Sequence, residues 1–250
     1  MTSVEDIVGS FDSISLAEMD RVALMNRIDT KYLFGTAQLP TLLQTMTAGY
    51  QVLRVEDIRI SSYSTLYFDT PRHDFFLQHH NGKLNRHKIR MRKYLLSHTC
   101  FLEMKTKNNK GRTAKRRMQI EDFEETFSPK SVTFLRSVME DLPELVPQLR
   151  SGFSRITLVH RDQPERVTLD FDIAFSHDNR TECCPGIVIA EVKQNRNQRN
   201  SPTRELMHQR HIRPMRVSKY CLGSVLLKPA LKYNRFKSKL RAIRKIANQH

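Results

Sequence analysis

The stretch His87-Lys88-Ile89-Arg90-Met91-Arg92, with Phe101-Leu102-Glu103-Met104-Lys105-Thr106-Lys107 shortly after it, decides how this chain folds. Successive side chains of a β-strand point to opposite faces of the sheet. Lys88, Arg90 and Arg92 therefore share one face, with Ile89 and Met91 on the other. In the second run Glu103, Lys105 and Lys107 oppose Leu102 and Met104. The same period of two continues downstream. Lys115, Arg117 and Gln119 oppose Ala114, Met118 and Ile120. Arg166, Thr168, Asp170 and Asp172 oppose Val167, Leu169, Phe171 and Ile173. Glu191 and Lys193 oppose Ala190 and Val192. Each strand is thus apolar on one side and charged on the other.

Working outward, period-two patterning marks eight strands near residues 27–35, 61–69, 85–96, 100–107, 112–121, 153–161, 165–175 and 186–194. Asn108-Asn109-Lys110-Gly111 and Asp162-Gln163-Pro164 supply turns between neighbours. Helices are expected at the flanks. Ser15-Leu16-Ala17-Glu18 is a capping box opening a helix to about Met25. Others follow Thr36, Ser128-Pro129 and Ser201-Pro202, where Ser caps and Pro fills the first helical position. Lys219 falls on a further helix. The expected class is α+β with a mainly antiparallel sheet.

Charge is distributed as unevenly as the hydrophobic residues are regular. The 250 residues carry 42 Lys+Arg against 26 Asp+Glu, a net +16. Residues 83–117 hold 13 Lys/Arg and one acid, and residues 228–250 hold 8 with none. The remainder of the chain is therefore slightly acidic. An open sheet with one solvated face would spread both signs of charge over that face. Clustered cations with a few isolated carboxylates fit the inside of a barrel better. Eight strands suffice to close one around a small ligand. The expected architecture is an eight-stranded antiparallel β-barrel, a tunnel with a polar basic interior, flanked by helices. A barrel lined with cations has to hold anions, because like charges repel strongly where water is scarce.

Several motifs in order then carry a resemblance: Arg27-Ile28-Asp29-Thr30-Lys31-Tyr32, Thr65-Leu66-Tyr67-Phe68-Asp69, His87 to Arg92, Phe101 to Lys105, Arg166-Val167-Thr168-Leu169-Asp170, Ala190-Glu191-Val192-Lys193 and Ser218-Lys219-Tyr220. Together they resemble the catalytic domain of the vacuolar transporter chaperone (VTC) complex, a polyphosphate polymerase of the triphosphate tunnel metalloenzyme (CYTH-like) superfamily. The resemblance implies a tunnel that binds ATP, triphosphate or polyphosphate along basic walls, with Mn²⁺ or Mg²⁺ held by glutamate. It implies transfer of the γ-phosphoryl group of ATP to a growing polyphosphate end. Lys31, Arg90, Arg92, Lys105, Lys115, Arg155, Arg166, Lys193 and Lys219 match the family's basic lining, and Glu191 its metal-binding glutamate. The strand faces add Lys88, Lys107 and Arg117 as phosphate ligands, and Glu103 and then Asp170 as further carboxylates. Phosphoryl transfer needs positioning and charge stabilisation, which Arg and Lys supply.

One departure matters. Hydrolytic relatives carry Glu-x-Glu-x-Lys on the first strand, where this chain has Arg27-x-Asp29-x-Lys31. That favours a polymerase or binder over a triphosphatase or polyphosphatase. Asp29 and Asp172, with Asp170, are expected to neutralise neighbouring cations. His79, His80 and His87 are expected to be loop histidines rather than zinc ligands. No Gly-x-x-x-x-Gly-Lys loop is present and no local nucleophile motif stands out.

A nucleic-acid binder remains the second reading of the charge. It needs exposed aromatics to stack bases, and residues 83–117 offer only Tyr94 and Phe101, in a chain without Trp. The expected organisation is an N-terminal helical segment (1–26), the tunnel domain (27–225) and a basic amphipathic tail (226–250). The tail's stripe of Leu231, Phe236, Leu240, Ile243 and Ile246 suits packing on the barrel, an anionic membrane surface, RNA or departing polyphosphate. No apolar run spans a bilayer, no signal peptide is evident, and four unpatterned cysteines suit a reducing cytoplasm.

Overall fold

The computed structural model describes residues 2–21, 27–110, 112–198 and 200–247. The chain begins with α1 (Val4–Gly9), β1 (Ser13–Ile14), α2 (Leu16–Arg21), β2 (Arg27–Gly35), α3 (Leu39–Met46) and β3 (Tyr50–Leu53). It continues through β4 (Ile60–Asp69), α4 (Asp74–His80), β5 (Arg86–Tyr94), β6 (Cys100–Lys107), β7 (Thr113–Ile120) and α5 (Pro129–Arg136). It ends with β8 (Val146–His160), β9 (Glu165–His177), β10 (Arg180–Cys184), β11 (Ile187–Asn195), α6 (Pro202–Gln209), α7 (Lys219–Leu227) and α8 (Lys237–Ala247). All eight expected strands are present. The Ser15 capping box forms, with Ser15 and Glu18 exchanging backbone-to-side-chain hydrogen bonds of 2.8 and 3.3 Å. The expected end of that helix, at Met25, lies outside the described residues.

The main sheet runs β2-β11-β9-β8-β4-β5-β6-β7, and every neighbouring pair along it is antiparallel. It curls into a half-barrel. β2 and β7 are its two ends, and among the described residues no hydrogen-bonded ladder joins them. The period-two pattern explains the curl's polarity. Apolar residues of β2, β8, β9 and β11, among them Phe34, Ile156, Leu169 and Val192, pack outward beneath α1, α3 and α6. Those of β4, β5 and β6, such as Phe68, Ile89 and Leu102, pack outward beneath α5 and the segments around it.

One face assignment is corrected by a bulge. Register between β8 and β9 slips at Gly152/Ser154, and Asp172 takes a left-handed backbone conformation at φ 50°. Asp tolerates this region better than most residues because its short side chain hydrogen-bonds locally. Beyond the slip the parity of β9 reverses. Asp172 is exposed and does not share the face of Asp170, while Ile173 and Phe175 turn into the concavity. There they join Leu33, Leu149, Phe153 and Ile189 under α7 and α8. The concave surface is therefore charged over much of its length and apolar where these two helices close it. The stripe of Phe236, Leu240, Ile243 and Ile246 packs into this cluster. No helix among the described residues is long and apolar enough to cross a membrane.

α4 was not expected from the pattern. Buried Asp69 starts it, accepting the backbone N–H groups of Phe75 (2.8 Å) and Phe76 (2.8 Å). His79 and His80 consequently lie on a helix and His87 on β5, not in loops. His80 is buried against the rings of Phe76 and Phe236, and burial pulls His79 down to about 3.

Candidate phosphate-binding site

The strand register places the charged residues in rows across the concave face. Lys88 pairs with Lys105, which pairs with Lys115. Arg90 pairs with Glu103, which pairs with Arg117. On the far wall Lys31 pairs with Glu191, Asp29 with Lys193, and Lys193 with Arg166. Arg155 of β8 pairs with Asp170 of β9. Lys219 arrives from the first turn of α7, whose N-cap is Ser218.

Three carboxylates organise this face, each gripped by two cations. Glu103, wholly buried, accepts Nε and Nη2 of Arg90 at 2.7 and 2.6 Å and pairs with Lys115. Asp170 takes Arg155 at 2.5 and 2.8 Å and Lys219 besides. Glu191 holds Lys31 at 2.5 Å and Lys193. Burial alone would push each carboxyl up, but the flanking cations outweigh it and hold all three well below the usual range. They stay ionised throughout the physiological range.

The cations outnumber these partners. Arg92, 7% exposed, has a neutral acceptor, Thr65 Oγ1 at 3.2 Å, and lies 5.6 Å from the rings of both Tyr63 and Phe153. Burial and the charges of Arg90 and Arg155 pull its guanidinium down to about 10. Lys105 falls well below its ordinary value, chiefly through Arg90 and then burial. Lys88 donates to Ser218 Oγ at 2.8 Å, and burial brings it to about 8. Burial takes Lys219 to about 7 despite Asp170, with its ammonium 4.0 Å from the Phe153 ring centre. Lys107 stands at the strand end, half-buried, and Arg117 lies 4.8 Å over Phe101. A surface that depresses its own cations is short of negative charge. An oxyanion chain entering it would relieve that cost and find the Arg92 guanidinium already in place without an acidic partner.

Twelve basic positions expected from the sequence thus lie on one concavity, with the expected carboxylates Glu103, Asp170 and Glu191 among them. The neutral partners of these cations were not expected. Ser218 could have been suspected as the cap of the Ser-Lys-Tyr helix, whereas nothing local marks Thr65, Tyr63 or Phe153. Asp29 pairs with Arg27 at 3.1 Å at an exposed edge, so it serves as a neutraliser, as does Asp170.

The VTC domain family matches residues 26–228 of the chain. The chain belongs to that family. No curated protein matches it. Among solved structures this VTC domain is similar to an adenylate cyclase candidate from Bacillus halodurans, 14% identical with a TM-score of 0.52, covering 77% of this chain and 94% of that one. It is also similar to an adenylate cyclase candidate from Vibrio parahaemolyticus (14%, TM-score 0.47, 79% and 99% covered). A third is an adenylyl cyclase candidate from Hippeastrum, described as having a dominant triphosphatase activity (15%, TM-score 0.43, 79% and 94% covered). At these identities the likeness is one of fold.

The family implies a divalent metal, and among the described residues Glu191 offers it the first candidate position. Among the described residues no group of three His, Cys, Asp or Glu side chains could cage an ion. Glu191, however, stands opposite Thr168 in register, and the buried hydroxyl of Thr168 has no hydrogen-bond partner. One carboxylate beside one unused oxygen suits a hard cation that completes its shell with phosphate and water.

Proposed function

We propose that this VTC domain transfers the γ-phosphoryl group of ATP to the end of a polyphosphate chain, releasing ADP. The observation that carries the reading is the excess of cations over carboxylates on one concave face, with Arg92, Lys105 and Lys88 lacking an acidic partner among the described residues. Arg90, Arg92, Lys105, Arg155 and Arg166 would flank the reacting phosphoryl group. Lys31, Lys88, Lys107, Lys115, Arg117, Lys193 and Lys219 would grip the chain on either side.

In the transfer, a terminal polyphosphate oxygen bonds to the γ-phosphorus as the bridging bond to the β-phosphate breaks, and the electron pair leaves with ADP. The chain's own residues act by position. Arg guanidinium groups spread the charge of the transferring group, and Lys ammonium groups stand by the leaving oxygen. As an anion enters, Lys31 and Lys193 can exchange Glu191 for phosphate oxygens, which opens Glu191 and Thr168 to the metal. A bound Mn²⁺ or Mg²⁺ would polarise a phosphoryl oxygen. Glu191 is the first ligand choice and Glu103, closed off by Arg90 and Lys115, the second.

Hydrolysis is the weaker direction, because Asp29 is engaged by Arg27 where a metal-activated water would need a free carboxylate pair. Nucleic acid is weaker still. Phe101 is covered by Arg117 and Tyr94 packs edge-on against it at 5.9 Å, which leaves neither ring open for a base. Residues 27–225 would carry the activity, in a cytoplasmic protein.

Incubation with ATP and Mn²⁺ should yield ADP and acid-labile polymer in matching amounts. Arg92→Gln should lower the rate by about 100-fold or more, the usual loss for one electrostatic donor. Its melting temperature should hold or rise, since the substitution removes an uncompensated buried charge. Orthophosphate as the product from tripolyphosphate, without polymer from ATP, would reverse the proposed direction.

A further inference from the structure

The row of cations does not stop at the centre of the concavity. From Arg90, Lys88 leads along β5 to Arg86, whose register partner is Lys107 at the end of β6. Alternate residues on one strand face are about 6.8 Å apart, so these form a ladder of charge leading outward. At its end two more cations arrive from elements that lie far apart in sequence. Arg216, in the segment before α7, and Lys239, on α8, line one cleft together with His79 and Ser218. Among the described residues no carboxylate lies within salt-bridge distance of Arg86, Lys107, Arg216 or Lys239. The like charges also sense each other: Arg86 and Arg216 both lower Lys107, after burial, and Arg216 lowers Lys239.

α8 lies outside the residues matched by the family, and its apolar stripe closes the end of the half-barrel. With α7 and α8 packed on the apolar end of the concavity, the unneutralised cations lead sideways, over Arg86 and Lys107 toward Arg216 and Lys239.

We propose that Arg86, Lys107, Arg216 and Lys239 form an outer subsite that binds the distal phosphates of a polyphosphate chain longer than the triphosphate held at the centre. This rests on the polyphosphate reading above and names the longer substrate that the same concavity takes. The occupant is an extended oxyanion without bases, because the aromatic ring at the subsite, Phe236, is covered by Lys239 at 5.5 Å and by His80.

The test compares tripolyphosphate with a polyphosphate of about 25 units, by titration calorimetry at several salt concentrations. The Arg216→Ala/Lys239→Ala double variant should bind tripolyphosphate within about twofold of wild type. It should bind the long chain roughly tenfold more weakly, with a salt slope shallower by about 1 to 2, as expected for two lost phosphate contacts. Arg244→Ala/Lys245→Ala, on the exposed face of the same helix, should leave both affinities unchanged. Equal loss for both ligands, no loss for either, or an equal effect of the control variant would overturn the subsite alone. So would displacement of the long chain by single-stranded RNA at equal phosphate concentration. If the wild-type protein binds neither phosphate ligand, the reading of function itself falls.

Discussion

At the scale of single residues, the site is tuned by how little its cations are neutralised. Lys219 is faced by Asp170, Arg155 and Lys31, and Lys88 by Lys31, Arg86, Arg90 and the Cys221 thiol. With ordinary values brought down to about 7 and about 8, both ammonium groups titrate near neutrality. An oxyanion beside them favours the charged forms, so binding takes up protons wherever the free groups are partly neutral. Affinity for tripolyphosphate should therefore be greatest below about pH 7 and fall as the pH rises through 7 to 9. Calorimetry in two buffers of different ionisation enthalpy should show net proton uptake near pH 8. Lys219→Met should reduce that uptake, and an unchanged uptake in the variant would refute the assignment. The residue identities in this network were legible in the sequence because strand parity alone sorts charged from apolar positions. Their pairing was not, since Arg155–Asp170–Lys219 joins β8, β9 and α7, and no local pattern encodes which cation reaches which carboxylate.

At the scale of elements, α7 converts a basic groove into a shaped site. It lies on Phe175 at Gly223, where an added Cβ would stand 2.5 Å from Cδ1 of that buried ring. Only glycine permits the approach, and through it Lys219 reaches Asp170. Gly223→Ala should push the helix off the sheet and destabilise the protein by about 1–3 kcal/mol, the usual cost of overpacking. It should also raise KM for the phosphate substrate more than it lowers kcat. Thermal unfolding and steady-state kinetics check both, and Phe175→Leu added to Gly223→Ala should restore part of each. The strands that α7 rests on were visible from alternation. The bulge at Asp172 was not, because a one-residue slip leaves the amino-acid pattern looking regular while reversing which face is inside. α4 was missed for a related reason: its cap is Asp69, at the end of the preceding strand, rather than a residue next to the helix.

For the molecule as a whole, the important feature is the gap between β2 and β7. Lys31 stands on one side of it, with Lys115 and Arg117 on the other. A polyanion that contacts both walls should draw the exposed edge strand β7 inward. Amide exchange across 113–120 should then slow by about tenfold when tripolyphosphate is present at ten times its Kd, which corresponds to ~1.4 kcal/mol of protection. Exchange unaffected in β7 but slowed in β11 would mean that the ligand sits on the far wall alone.

The sequence by itself determined the eight strands, their charged and apolar faces up to the β9 bulge, and the family, because each follows from period-two alternation and short motifs that need no distant partner. Only the tertiary structure decided that the basic tail packs on the concave face of the half-barrel. Its apolar stripe had several suitable partners in principle, and the β9 bulge created one by turning Ile173 and Phe175 inward to meet it. The same step moved Lys239 from a surface tail to a cleft it lines with Arg216 and Ser218. A contact of that kind depends on where two distant segments meet in space, and local patterning carries no record of it.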